Sequence, residues 1–333
     1  MYSAMTTKSK MRAAVMPRYG TPSDLKLVEK DIPQPADNEV QIRVHATAVN
    51  DFDLGMIKGR PYVLRMASLN KPKYPILGLD VAGEVSAVGK KVSKWKVGDR
   101  VVGDLSEDHW GGFGEYACAR ETSFSEIPVE MSYVEAASLP HAGLLALQAI
   151  RQIDALQPGK SIAVNGAGGG VGPIVIKLAK RANMQVTAID SAEKLDFLKE
   201  LGADEVIDYK VESYQKERRD AFDFIIDCRA TGRPPCYALT LKKGGRFTAI
   251  GGASNSLIGL LTVGSIINLF GSKKLKILGY KPNSTDIAET LQMCEDGIIT
   301  PMVDSVYPLT EIKQAFEKYE NFGMKGRIVI CLE

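Results

Sequence analysis

Over residues 11 to about 119, apolar and polar positions alternate in short runs (AAVM, VQIRVHATAV, DVAGEVSAVG, DRVVGD, GEYACA) punctuated by Gly and Asp. A two-residue period broken in that way predicts half-buried strands joined by loops, hence a β-rich first domain. Beyond about residue 133 the spacing changes. EAASLPHAGLLALQAI (135–150), VGPIVIKLAKRA (171–182) and SAEKLDFLKELG (191–202) carry apolar residues every three or four positions and predict helices. They alternate with the compact runs SIAVN, QVTAID, EVID, FDFIID, RFTAIGG and LKILGY. Strands separated by helices of that length cannot be hairpins, so the pattern predicts an α/β domain with a parallel, doubly wound sheet. KGRIVICLE (325–333) returns to the earlier style as a final strand. The apolar run 257–270, 14 residues with Asn268 inside it, is too short and too polar to span a bilayer; it predicts a cover over a cleft or a subunit contact.

A chain of 333 residues exceeds one ordinary core and predicts two domains with a cleft between them. Apolar residues at 45%, charged ones at 25% and a net charge of +2 describe an ordinary globular protein. No nucleic-acid or membrane partner is expected: the densest charge cluster, KERRD at 216–220, is mixed in sign. The five cysteines are scattered and never form CxxC, which argues against a disulfide framework or zinc cluster and for a reducing compartment such as the cytoplasm. MYSAMTTKSKMR lacks the apolar stretch of a secretory leader, while the absence of acid before Asp24 leaves an organellar targeting segment open.

Five glycines fall within the seven residues 166–172, between a strand run and a helix run. A helix N-terminus offers unpaired N–H groups and a partial positive charge, so it attracts a diphosphate if no side chain blocks the approach. The register Ala167-x-Gly169-x-x-Gly172 fits a dinucleotide turn, with Gly169 allowing close approach, Gly170 and Val171 opening the helix, and Gly172 letting it lie tight on the strand. Asp190, ending QVTAID, stands where a carboxylate takes a ribose hydroxyl and favours NAD(H); capping the next helix is its alternative role.

In this order and over most of the chain, PILGLDVAGEVSAVGKKVSKWKVGDRVVG (75–103), GGFGEYACA (111–119), EAASLPHAGLLALQAI, NGAGGGVG, LGADEVIDY (201–209) and KGRIVI resemble the medium-chain dehydrogenase/reductases, in their zinc-free quinone-oxidoreductase-like branch. The resemblance implies a GroES-like catalytic domain over 1–132 and 301–333, a Rossmann domain over 133–300, and a homodimer. It also implies NAD(P)H-dependent reduction of a quinone or an α,β-unsaturated carbonyl compound. Where zinc-dependent relatives hold their metal this sequence reads Asn50-Asp51-Phe52-Asp53 and Gly78-Leu79-Asp80, so no zinc is expected, and His45, His109 and His141 show no ligand spacing. Short-chain dehydrogenase chemistry is excluded because no tyrosine has a lysine four residues later.

By the same resemblance Asn50 is the catalytic candidate that stabilises developing oxyanion charge, and Tyr62 the candidate proton donor. The alternatives are that Asn50 and Asp53 fix a turn through backbone bonds and that Tyr62 only packs. Lys194 and Tyr209, with Ser191 and Lys325, match positions that hold the 2′-phosphate and favour NADP(H), while Asp190 keeps NAD(H) in play. Gly251 and Gly252 match a loop facing the nicotinamide, or else form a plain strand-end turn. Leu145 and Gly55 replace polar residues of quinone-reducing relatives. These losses leave a second class open, a non-catalytic NAD(P)H-binding sensor or interaction protein.

Overall fold

The structure is a computed structural model that describes residues 9–332; the leader reading falls partly on residues 1–8, which lie outside them. The chain divides into two compact units. One comprises the residues up to His141 with Pro282–Leu291 and the segment from Val303; the other comprises Ala142–Lys281 and Gln292–Met302.

In the first unit the strands Val303–Pro308, Arg327–Cys331, Glu39–Ala48, Asp80–Val88, Arg100–Asp104 and Phe124–Glu126 lie side by side, and Tyr116–Arg120 pairs with Glu39–Ala48. The first two are parallel and the rest antiparallel. Lys10–Val15 and Lys26–Asp31 form a separate antiparallel pair. Alternation turns Ile42, Val44, Val81, Val85 and Val101 into a core closed by Phe113 and Phe316, whose rings meet edge to face at 5.7 Å.

The second unit has the expected doubly wound arrangement. Glu205–Asp208, Gln185–Asp190, Ser161–Asn165, Phe222–Asp227, Leu241–Ala249 and Lys274–Ile277 follow one another across a six-stranded sheet, all parallel. Its two faces bury separate clusters, one around Ile162, Val164, Val175 and Ile176 and the other around Ile225, Phe247, Tyr237 and Leu260. The helical run expected over 135–150 is two helices, Tyr133–Ala137 and Pro140–Ile153, because Pro140 has no N–H to continue the first and suits the opening of the second.

The apolar run near residue 260 is a 17-residue helix, Ser254–Phe270, followed by the outermost strand Lys274–Ile277. Side-chain amides serve this strand and the chain that follows it. Asn268 Nδ2 donates to Leu275 O and its Oδ1 accepts the Leu275 N–H, both at 2.6 Å. Gln152 bonds Ile277 O at 3.1 Å and Gly279 N–H at 3.0 Å, and Gln148 bonds Lys281 O at 2.7 Å and Lys281 N–H at 3.0 Å.

Candidate functional site

Strand Ser161–Asn165 lies between Gln185–Asp190 and Phe222–Asp227, and leaves the sheet through Gly166 at φ +72°, a conformation that suits glycine. The Gly166 and Ala167 N–H groups both donate to Ile189 O, at 3.0 and 3.1 Å, and Gly168 N–H donates to Asp190 Oδ2 at 2.7 Å. The turn is thereby tied to the end of the neighbouring strand. A Cβ on Gly172 would stand 2.1 Å from Ala167 O, so only glycine lets helix Val171–Arg181 lie this close. A Cβ on Gly169 would meet only Gly166 O, at 3.6 Å, so the space above it is open. Gly170 opens the helix and no side chain caps it. The first N–H groups of the helix are therefore left for an anion.

Asp190 is buried and faces this turn. Its Oδ1 accepts the Ser191 N–H at 2.8 Å and lies 3.4 Å from Lys194 Nζ. Lys194, which by spacing alone could be a solvated helix residue, is only 5% exposed because its ammonium is matched by that carboxylate. Tyr209 follows strand Glu205–Asp208; its N–H donates to Asp190 O at 3.1 Å and its ring is half exposed. Gly252, at φ +153°, follows strand Leu241–Ala249, and a Cβ on it would stand 2.1 Å from Ala230 O; the Ala230 N–H donates to Gly251 O at 2.9 Å. Gly169, Gly170, Val171, Gly172, Asp190, Ser191, Lys194, Tyr209, Gly251 and Gly252 thus all lie at or just past carboxyl ends of parallel strands, where open α/β sheets take ligands. Lys325 belongs to the other unit, where its N–H donates to Asp304 Oδ1 at 2.8 Å.

Sequence reasoning missed Asp227. It ends the strand beside the glycine turn, fully buried, and accepts from Asn165 Nδ2 at 2.7 Å, Tyr214 OH at 2.9 Å and Arg229 N–H at 2.9 Å. Burial pushes its carboxyl above the usual range against the pull of those donors. These bonds lock the ends of the two central strands together.

The β-rich unit holds a second polar centre. Asn50, 1% exposed, precedes helix Asp51–Lys58, and its N–H donates to Asp53 Oδ2 at 3.0 Å. Asp53 Oδ1 accepts the Gly78 N–H at 3.0 Å, yet complete burial still pushes this carboxyl up to about 7. Asn50 Nδ2 donates to Ala48 O and to Asp80 Oδ2, both at 3.1 Å, while its Oδ1 accepts from Arg327 Nη2 at 2.8 Å. Asp80 Oδ1 accepts the His141 N–H at 2.9 Å, and the His141 ring meets Asp104 Oδ2 through Nδ1 at 2.8 Å. Burial opposes a charge on His141, but Asp104 and then Asp80 outweigh it and hold the imidazole above its ordinary pKa. Asn50 therefore combines the turn-fixing bond with a rigidly held carboxamide. Tyr62 is exposed on a short turn of helix, its ring 5.3 Å from the Arg65 guanidinium.

This donor set does not suit zinc. Asp80 is neutralised by Arg327, Asn50 offers a neutral amide, and among the described residues no three His, Cys, Asp or Glu side chains are placed to hold a metal. His45 stacks on Tyr133 at 4.4 Å, and His109 meets Glu39 at 3.4 Å.

Residues 36–129 match the family described as alcohol dehydrogenase GroES-like domain, and residues 201–330 the one described as zinc-binding dehydrogenase. A chloroplast envelope quinone oxidoreductase homolog of Arabidopsis thaliana is 33% identical over 323 residues, covering 93% of this chain and 95% of that one. A mitochondrial NAD(P)H oxidoreductase of Homo sapiens is 30% identical over 359 residues, covering 96% and 89%. The solved structure of the quinone oxidoreductase from Coxiella burnetii superposes with a TM-score of 0.89 at 26% identity, covering 98% of this chain and all of the other.

Proposed function

The chain belongs to the medium-chain dehydrogenase/reductase family, in its quinone-oxidoreductase-like branch, and from that premise we propose that it passes hydride from NAD(P)H, without zinc, to a quinone or to the β-carbon of an α,β-unsaturated carbonyl compound. The observation that carries this reading is the bare turn at residues 168–172, open above Gly169 and uncapped at the start of the helix. Backbone N–H groups of Gly170, Val171 and Gly172 take the diphosphate there. The reduced nicotinamide, when bound, supplies the hydride.

NADP(H) is the preferred coenzyme in this reading. Asp190 has both oxygens engaged by N–H groups and its charge met by Lys194, so its repulsion of a 2′-phosphate is weakened. Lys194, Ser191 and the Tyr209 hydroxyl supply the donors, with Lys325 a further candidate. Gly251 and Gly252, packed on the backbone of Cys228 and Ala230, form the loop assigned to the nicotinamide side in this reading.

Reduction of a quinone or enone places charge on a carbonyl oxygen, which hydrogen-bond donors can stabilise. Asn50 is the donor we assign. Of its two N–H bonds at 3.1 Å, one goes to the Asp80 carboxylate and the other to the neutral Ala48 carbonyl, and it is for the second that an oxyanion competes. Tyr62 is the assigned source of the returning proton. A homodimer in the cytoplasm completes the reading; sedimentation and fluorescence localisation of the full-length chain check these two points, since the named relatives are chloroplast and mitochondrial proteins.

The reaction is tested by following loss of the reduced-nicotinamide absorbance with phenanthrenequinone, benzoquinone and an alkenal. Turnover of at least one acceptor by metal-free protein supports the proposal. Tight coenzyme binding with no turnover of any of them favours a non-catalytic sensor.

A further inference from the structure

Strand order in the doubly wound sheet reverses at Ser161–Asn165. Gln185–Asp190 and Glu205–Asp208 run outward from it on one side, and Phe222–Asp227, Leu241–Ala249 and Lys274–Ile277 on the other. The crevice at such a reversal lies between the loops that leave the two central strands, and ligands of open α/β sheets enter there. One lip is the glycine turn. The other is Cys228-Arg229-Ala230, which follows strand Phe222–Asp227. The two lips are built against each other. The Cys228 N–H donates to Asn165 O at 3.0 Å, and Asp227 Oδ1 accepts from Asn165 Nδ2 at 2.7 Å and from the Arg229 N–H at 2.9 Å. Ala230 is held on both sides, its N–H by Gly251 O at 2.9 Å and its O by the Ala253 N–H at 2.8 Å. On this fixed backbone the Arg229 stem lies over the start of the turn: a Cβ on Gly166 would stand 3.2 Å from Arg229 Cγ and 3.6 Å from Cδ.

Arg229 is exposed although its stem is packed, the division expected of a long side chain that keeps its charged head in water. Its charge is felt at the floor of the crevice. Burial first, then Asp227 and Asp190, push the Cys228 thiol well above its ordinary pKa, and Arg229 pulls it back down. A helix N-terminus supplies only about half an elementary charge, whereas each phosphate of a dinucleotide carries a full negative one. Lys194 does not fill that gap, because Asp190 already meets its ammonium at 3.4 Å. On the NAD(P)H reading given above, we infer that Arg229 is a coenzyme-binding residue, its guanidinium closing on the diphosphate from the second lip while the helix N–H groups hold it from the first. The planar donor fork of an arginine suits two phosphate oxygens at once. NADH and NADPH share the diphosphate, so Arg229 sets affinity for both, and the choice between them falls to Lys194 and its neighbours.

Calorimetric titration of the full-length protein with NADPH, NADH and 2′-AMP tests this. Arg229→Gln should weaken NADPH and NADH by the same factor, about tenfold, with the melting temperature unchanged. The third ligand carries a 2′-phosphate and no diphosphate, so its affinity should stay within about twofold of the native value. Arg229→Lys keeps the charge without the fork and should recover part of the loss. Should Arg229→Gln misfold, Arg229→Lys should still bind both coenzymes about threefold more weakly than the native chain. The inference is overturned if Arg229→Gln binds both coenzymes as the native chain does, or if its loss falls on NADPH and 2′-AMP and spares NADH. A native chain that binds neither coenzyme would bring down the NAD(P)H reading and this role together, a result visible before any variant is made.

Discussion

Arg327 Nη2 lies 2.5 Å from Asp80 Oδ2, a buried ion pair that joins residues 247 positions apart and also fixes the Asn50 carboxamide. Removing one member strands the other without compensation, which typically costs about 3–5 kcal/mol. Arg327→Met is therefore expected to lower the urea unfolding free energy by about that amount. Adding Asp80→Leu to it should recover part of the loss, because the stranded charge is gone. An unchanged unfolding midpoint in the single variant would show that water reaches the pair.

Asp53 gives the fold a pH dependence of defined sign. Its folded-state pKa is raised by burial to about 7, whereas an unfolded aspartate ionises near ~3.9. Between those values the folded chain binds more protons than the unfolded one. Stability should consequently fall as pH rises from about 4 to about 7 and level off above, by on the order of 4 kcal/mol from this residue. Because His141 is also held up, its contribution is likewise lost as pH rises. The test is the difference between the native chain and Asp53→Asn in denaturant titrations across that interval; parallel curves would refute it.

Two glycines of the turn should respond differently to alanine. At Gly169 the new methyl has room, so Gly169→Ala should keep its melting temperature yet bind NADPH at least about tenfold more weakly, by crowding the diphosphate. At Gly172 the methyl runs into Ala167 O, so Gly172→Ala should lose stability, by about 1–3 kcal/mol, as well as affinity. Fluorescence titration alongside thermal melts separates the two. Equal affinity in Gly169→Ala would remove the diphosphate from this turn.

Coenzyme choice rests on the pairing of Asp190 with Lys194 at 3.4 Å. Lys194→Ala deletes a cation and exposes the full charge of Asp190, so the KM ratio of NADPH to NADH should rise about tenfold or more. A ratio that stays constant would assign Lys194 to the fold alone.

Much of this was legible from local pattern. Alternation in Glu39–Ala48 and Asp80–Val88 points to the β-rich unit, and strand–glycine–helix order to the doubly wound one. Strand Lys26–Asp31 is invisible in the pattern because it has no buried face: KLVEKD is exposed or half-exposed throughout. Helix Ser254–Phe270 has no readable period because both of its sides are apolar. The Arg327–Asp80 and Asn165–Asp227 contacts join residues far apart in sequence, where no local periodicity reports them. The burial of Lys194 escapes helical spacing because its partner Asp190 lies on the preceding strand, across a turn that such spacing does not describe.

The amide of Asn268 gives the rim of the parallel sheet a partner that travels with the chain. Leu275 has its outward N–H and C=O satisfied before any neighbouring molecule arrives, so a passing strand finds nothing there to zip onto. Slow amide hydrogen exchange at Leu275, and its acceleration in Asn268→Ala together with fibril seeding on storage, are what such self-sealing entails.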